Sequence, residues 1–206
     1  MNLDDKALLR SLVELSYKQG NTHMMSALTA LPIITKIYRE HPGTMFILSK
    51  GHAWLAHAVV LQAMGYKPNV VQTHPNRDAA NGVICTTGSL GHGLPIALGI
   101  ALAMPEQRVD VLLGDAECME GTFWECLNIC HAFRVRNLHI HIDWNGHGAT
   151  GRTMCSPHAL LCNHIQFLTF HLAIRGAGVA LYERNPEWHV HKLTAEEYES
   201  ILKELP

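Results

Sequence analysis

The sequence predicts an α/β protein: a mostly parallel sheet with helices on both faces. Three observations carry that expectation. The stretches 109–113 (VDVLL) and 138–142 (LHIHI) are short apolar runs of strand length. The segment between them, 122–133, suits a helix, which makes a βαβ unit. Each run is broken at its C-terminal end by a polar signal, Gly114-Asp115 after the first and Asn145 after the second, 30 residues from Asp to Asn.

The remaining elements follow in order. An amphipathic segment from Asp4 predicts a first helix over 4–19, and a second is expected over 26–38. A short strand at 45–48 leads to His52, and a helix over 53–64 follows. The Pro/Asn-rich stretch 67–81 reads as a loop over the sheet edge. A glycine-rich turn, TTGSLG, then enters a helix over 94–104. After the βαβ unit, a last strand is expected at 178–182 and a solvent-exposed helix at 195–204. There is no internal repeat and no low-complexity segment. The 206 residues are read as a single domain with a substantial core, 48% of them hydrophobic.

Composition excludes several function classes. A net charge of −2 leaves no electrostatic footprint for nucleic acid or an anionic membrane. The apolar stretch 94–104 is too short to span a bilayer, and the acidic start MNLDDKALLR lacks a signal-peptide core, so a cytoplasmic protein is expected. The six cysteines read as reduced thiols. Cys126 and Cys130 share a helix face, but no CxxC pair announces zinc.

Asp115 and Asn145 sit at strand C-terminal ends, the edge where open α/β sheets bind ligands. A carboxylate and an amide oxygen suit Mg²⁺ or Ca²⁺, the main-chain carbonyl of His147 offers a third ligand, and diphosphate oxygens and water would complete the shell. An Asp after a strand also serves as a helix N-cap. Asn145 in register favours the metal-diphosphate clamp.

The chain resembles the thiamine-diphosphate enzymes, whose hallmark is a Gly-Asp turn followed by an Asn at this distance. Within them it is similar to the transketolases. The strings LSKGHA (48–53), TTGSLGHGL (86–94), GDAECMEGTFWE (114–125) and NPEWH (185–189) occur in that family's order, and the resemblance runs from about residue 12 to 189. It implies the thiamine-diphosphate-binding fold and a cofactor site made of His52, Gly88, Leu90, Gly114, Asp115, Ala116, Glu120, Asn145 and His189. Gly88 would let the backbone approach the aminopyrimidine, and Leu90 would pack near the thiazolium. The N–H of Ala116, where Gly is more usual, would meet the diphosphate. Glu120 matches a buried glutamate coupling two cofactor sites across a dimer.

Of fifteen histidines, four match functional imidazoles of the family: His23 and His74 toward substrate, His52 at the diphosphate near the reacting carbon, and His189 at diphosphate and donor. With Glu120 they are the implied catalytic set, suited to proton shuttling on polyhydroxylated sugars. His57, His92, His131, His139, His141, His158, His164, His171 and His191 have no such match, although His92 lies in the glycine-rich turn. His139 and His141 share one side of a strand, which favours a buried polar pair or a sheet surface over catalysis.

Two departures from the family stand out. The segment 146–178 is compressed, and Met24-Met25 replace small residues or Pro beside His23, with an expected reshaping of the sugar channel. The resemblance further implies a pyrimidine domain whose glutamate activates the cofactor, and the chain matches only the diphosphate half. The expectation is therefore the N-terminal subunit of a split transketolase, active with a pyrimidine-domain partner, two of each chain, on sugar or sugar-phosphate substrates. Two other readings stay open: part of a thiamine-diphosphate enzyme acting on 2-oxoacids, which the string EGTFWECLN also resembles, and a non-catalytic cofactor-binding scaffold.

Overall fold

A computed structural model describes residues 3–148, 151–153, 168–188 and 190–205. Strands β1 (Met45–Leu48), β2 (Val109–Gly114), β3 (Leu138–Trp144) and β6 (Leu168–Leu172) form one sheet in the order β1-β2-β3-β6, all parallel. A second, two-stranded ladder joins β4 (His147–Gly148) to β5 (Gly151–Arg152). Helices α1 (Asp5–Gln19), α2 (Met24–Glu40), α3 (Trp54–Ala63), α4 (Gly93–Ala103) and α5 (Gly121–Ala132) precede a short α6 (Ala180–Glu183) and α7 (Ala195–Glu204).

Period-two alternation divides the sheet's faces between two cores. Phe46, Leu48 and Leu112 join the core of α1, α2 and α3, which includes Leu12, Ile34 and Trp54. Ile47, Val109, Val111, Leu113, Leu138, Ile140 and Ile142 join the core of α4 and α5, with Leu94, Leu98, Phe123 and Leu127. Helices thus cover both faces, α1 to α3 on one and α4 with α5 on the other. The helix ends are set locally. The Asp4 side chain caps α1, Gly20 ends it in the left-handed region at φ 60°, and Thr194 and Glu197 form a capping box on α7.

The expected strand at 178–182 is not one. Gly176 and Gly178 adopt φ of 76° and 93°, and the chain turns through them into α6. A Cβ at Gly176 would stand 2.7 Å from that of Tyr182, so the glycine lets the turn close onto this buried ring. The fourth strand comes earlier, where Leu168, Phe170 and Leu172 alternate with Thr169 and His171. Among the described residues no helix is long and apolar enough to cross a membrane.

The α1–α3 face of the sheet carries a polar cluster. His141 hydrogen-bonds Asp110 at 2.8 Å and His171 at 3.0 Å, while Arg108 and Thr44 donate to the same carboxylate. Burial alone would raise the Asp110 carboxyl, but the bonds from His141, Arg108 and Thr44 outweigh it and hold it well below the usual range. His57, in α3, is buried with its Nε2 2.9 Å from the Tyr38 hydroxyl. Burial pushes its pKa down to about 3.

A neutral buried imidazole makes the fold acid-sensitive. Below an unfolded-state pKa of about 6.5 the unfolded chain takes up a proton that the folded chain refuses, and stability falls by about 1.4 kcal/mol per pH unit. That loss continues down to the folded value, about 3. Urea unfolding at pH 7, 6 and 5 is expected to show a shallower acid slope in His57→Leu than in the parent chain. Equal slopes would remove His57 from the account.

Candidate functional site

The sheet gathers its chemistry at the C-terminal edge. β1 runs into Ser49, Lys50 and the 3-10 turn Gly51–Ala53, which carries His52. β2 runs into Asp115, Ala116 and Glu117, and β3 into Asn145 and His147. These strand ends surround a crevice of about 490 Å³, completed by His23 and Ser26 at the start of α2, His74 of the 67–81 loop, Leu90 of the glycine-rich turn, and Arg175 beyond β6. Parallel strands make this convergence, because all of them deliver their following loops to the same edge.

Asp115 is buried and bridges two strand ends. Its Oδ1 accepts from Ala116 N at 2.9 Å, and its Oδ2 accepts from Gly146 N at 2.6 Å and Thr153 Oγ1 at 3.4 Å. Asn145 Oδ1 accepts from His147 N at 3.1 Å, in a turn that Gly146 allows by adopting φ 76°. Burial pushes the Asp115 carboxyl above its ordinary range, partly offset by Gly146 and by the charge of Lys50. A hard divalent cation supplies what such a desolvated carboxylate lacks. Among the described residues no three His, Cys, Asp or Glu side chains converge on one point. The donor set therefore fits a cation held by one carboxylate, one amide oxygen and a main-chain carbonyl, with a ligand's oxygens completing the shell.

Three of the expected histidines meet. The His23 ring lies 5.6 Å from that of His52 and 6.3 Å from that of His74. Gly88 stands behind His74, where a Cβ would come 2.8 Å from the imidazole, so the glycine admits the ring rather than lining the crevice itself. Glu120 is half-buried at the start of α5, beneath Gly91 and outside the lining. His189 lies outside the described residues. His139 and His141 stay out of the crevice, as their strand pattern suggests, and so does His92.

Some expectations change. The Ala116 N–H is engaged by the Asp115 carboxylate. Met24 and Met25 are buried in the helical core and do not border the crevice, so Ser26 is the residue of that turn that faces it. The side chains overlooked in the sequence are Ser26, Lys50, Glu117, Met119 and Arg175. Lys50 Nζ pairs with Asp143 Oδ2 at 2.5 Å, both groups buried, and Thr29 donates to the same oxygen. Arg175 donates to the Trp188 carbonyl at 3.2 Å and lies within the field of Asp115. Lys50 and Glu117 stand inside the family-like strings, whereas nothing around Arg175 marks it.

Against known proteins, no family model matches. The chain is 27% identical to an apulose-4-phosphate transketolase subunit of Phocaeicola vulgatus, with 100% of this chain and 93% of that one covered. It is 28% identical to the protein of the same name from Actinobacillus succinogenes, over 97% and 94%. A 6-deoxy-6-sulfo-D-fructose transketolase subunit of Clostridium sp. is 30% identical over 61% of this chain and 53% of its own. Among solved structures, the transketolase of Pichia stipitis superimposes with a TM-score of 0.80 at 18% identity, covering 97% of this chain and 40% of that one. Along nearly its whole length the chain is similar to proteins named as transketolase subunits. The Pichia transketolase shares its fold, and the chain spans about two-fifths of that longer protein. The oxygen donors of Asp115 and Asn145 fit a divalent cation whose shell is completed by the oxygens of a ligand.

Proposed function

We propose that this chain is the diphosphate-binding subunit of a split transketolase, a single domain that moves a ketol unit between sugar or sugar-phosphate molecules together with a pyrimidine-domain partner. The observation that carries this reading is the meeting of Asp115 and Asn145 with His23, His52 and His74 around one crevice. The relatives of which this chain covers nine-tenths are themselves named as one lettered subunit of a transketolase, which supports the partner.

Asp115 Oδ, Asn145 Oδ1 and the His147 carbonyl would hold Mg²⁺ or Ca²⁺. Arg175 would set positive charge beside a diphosphate, Lys50 lines the crevice while paired with Asp143, and Leu90 offers an apolar contact. Bound thiamine diphosphate supplies the electron sink for carbon–carbon bond cleavage and formation. The chain's own part is to orient the sugar and exchange protons with its hydroxyls through His23, His52 and His74. His189 would join them from the NPEWH string.

Steady-state assays with the partner present test the assignment. His52→Ala and His74→Ala should each lower kcat by about 100-fold or more with little change in cofactor affinity, the size typical of a lost proton-transfer group. His139→Ala, half-buried on the sheet and away from the crevice, should retain its turnover. Comparable losses in all three folded variants would overturn this division of the histidines.

A further inference from the structure

The crevice is made of turns that touch each other more closely than ordinary side chains permit. A Cβ on Gly93 would lie 2.4 Å from Ser49 Cβ, and one on Gly51 would lie 2.9 Å from the backbone nitrogen of Gly88. Thr87 Oγ1 donates to the Leu48 carbonyl at 2.6 Å. The glycine-rich turn is thus pressed onto the end of β1. Contact alone does not fix its register against β2, and one buried side chain bridges all three segments.

That side chain is Glu117, only 1% exposed. Its Oε1 accepts from Ser49 Oγ at 2.5 Å, after β1, and from Gly91 N at 3.2 Å, in the glycine-rich turn. Its Oε2 accepts from Gly114 N at 2.9 Å, at the end of β2. Both oxygens are engaged by protein donors, so the carboxylate acts through the turns. We propose that Glu117 is a positioning residue that pins the turns at Ser49, Gly91 and Gly114 into one rigid cradle, and that cofactor affinity depends on this pin. The affinity part rests on the cofactor reading given above.

Charge-assisted hydrogen bonds are the strong kind, and three of them on one buried carboxylate, two from backbone N–H groups and one from the Ser49 hydroxyl, resist replacement. Glu117→Gln keeps the volume, but its amide nitrogen is a donor and must face one of the three donors. Ser49→Ala removes a single anchor with a minimal change in size, and serves if the first variant folds poorly.

The experiment has two arms on the full chain. Amide exchange of Gly91 and Gly114 in cofactor-free protein is expected to be slow in the parent and faster at both sites in Glu117→Gln, with Ser49→Ala between them. Calorimetry with thiamine diphosphate and Mg²⁺, partner present, is expected to show affinity weakened roughly 10- to 100-fold by Glu117→Gln, the scale of lost hydrogen bonds to a charged group. The two substitutions should combine non-additively, because they break one shared contact. Parent-like exchange at Gly91 and Gly114 would overturn the pin. Affinity within roughly two-fold of the parent, below what even one such bond is worth, would overturn its link to the cofactor. If the parent itself took up no thiamine diphosphate, the cofactor reading would fall together with the affinity part, and the exchange rates would still decide whether Glu117 pins the turns.

Discussion

Metal-dependent thiamine diphosphate binding is expected to disappear in Asp115→Ala and in Asn145→Ala, with the fold retained. Each substitution removes one of the two side-chain oxygens available to the cation, and a diphosphate without its metal meets Asp115 as a like charge. Neither removes core volume. The structural cost is larger for Asp115, whose carboxylate accepts from Gly146 N at 2.6 Å and Ala116 N at 2.9 Å. Leaving those donors unmet costs about 1–3 kcal/mol, so a lower melting temperature is expected for Asp115→Ala than for Asn145→Ala. Asp115→Asn keeps an acceptor for Gly146 while removing the charge, and separates lost metal binding from lost stability. Calorimetry on the complex with its partner decides: parent affinity in both alanine variants would defeat the clamp.

The second large effect is one of composition. The purified chain is expected to show no ketol transfer alone, and to gain it when a protein carrying the pyrimidine domain and its activating glutamate is added. Among the described residues that line the crevice, no carboxylate is left without a protein donor to act on a pyrimidine ring. The lining offers four histidines, Lys50, Arg175 and carboxylates already engaged by protein donors. Helices α4 and α5 also present Ile96, Leu102, Trp124 and Ile129 to solvent, and Phe133, just after α5, is 70% exposed. If the partner covers these side chains, the lone chain should self-associate or dissolve poorly. Two copies of each chain would close a two-fold assembly, the usual outcome for such subunits. Following donor-ketose consumption alongside the solution mass tests both points. Robust turnover by this chain without any partner would end the split-enzyme proposal.

The parts of this design that are legible in the sequence are those with a local signature. Asp115 and Asn145 each terminate an apolar run, so their place at the sheet edge follows from strand periodicity alone. The helix at 195–204 lies where it is expected, and the structure adds the Thr194–Glu197 capping box that starts it. Glu117 is not legible as a pin, because its partners Ser49 and Gly91 are 68 and 26 positions away and only the folded sheet brings them together. The strand β6 is hidden because GVALY at 178–182 is a purer apolar run than LTFHL, and only the turn through Gly176 and Gly178 keeps the former from the sheet. Met24 and Met25 adjoin His23 in sequence, yet the helical phase carries both into the core while Ser26 turns toward the crevice.

The convergence of strand ends also bears on the order of folding. The cradle takes its turns from around residues 49, 91, 115 and 146, the first two from the β1–β2 crossover and the others from after β2 and β3, and parallel strands can pair only across long crossovers. Local helices such as α1 can form before any of this, but no partial subset of strands contains the whole crevice. Contacts so distant along the chain are slow to close. The crevice is therefore a late product of folding, and a ligand or partner that requires it will recognise only chains in which β1, β2 and β3 have already docked.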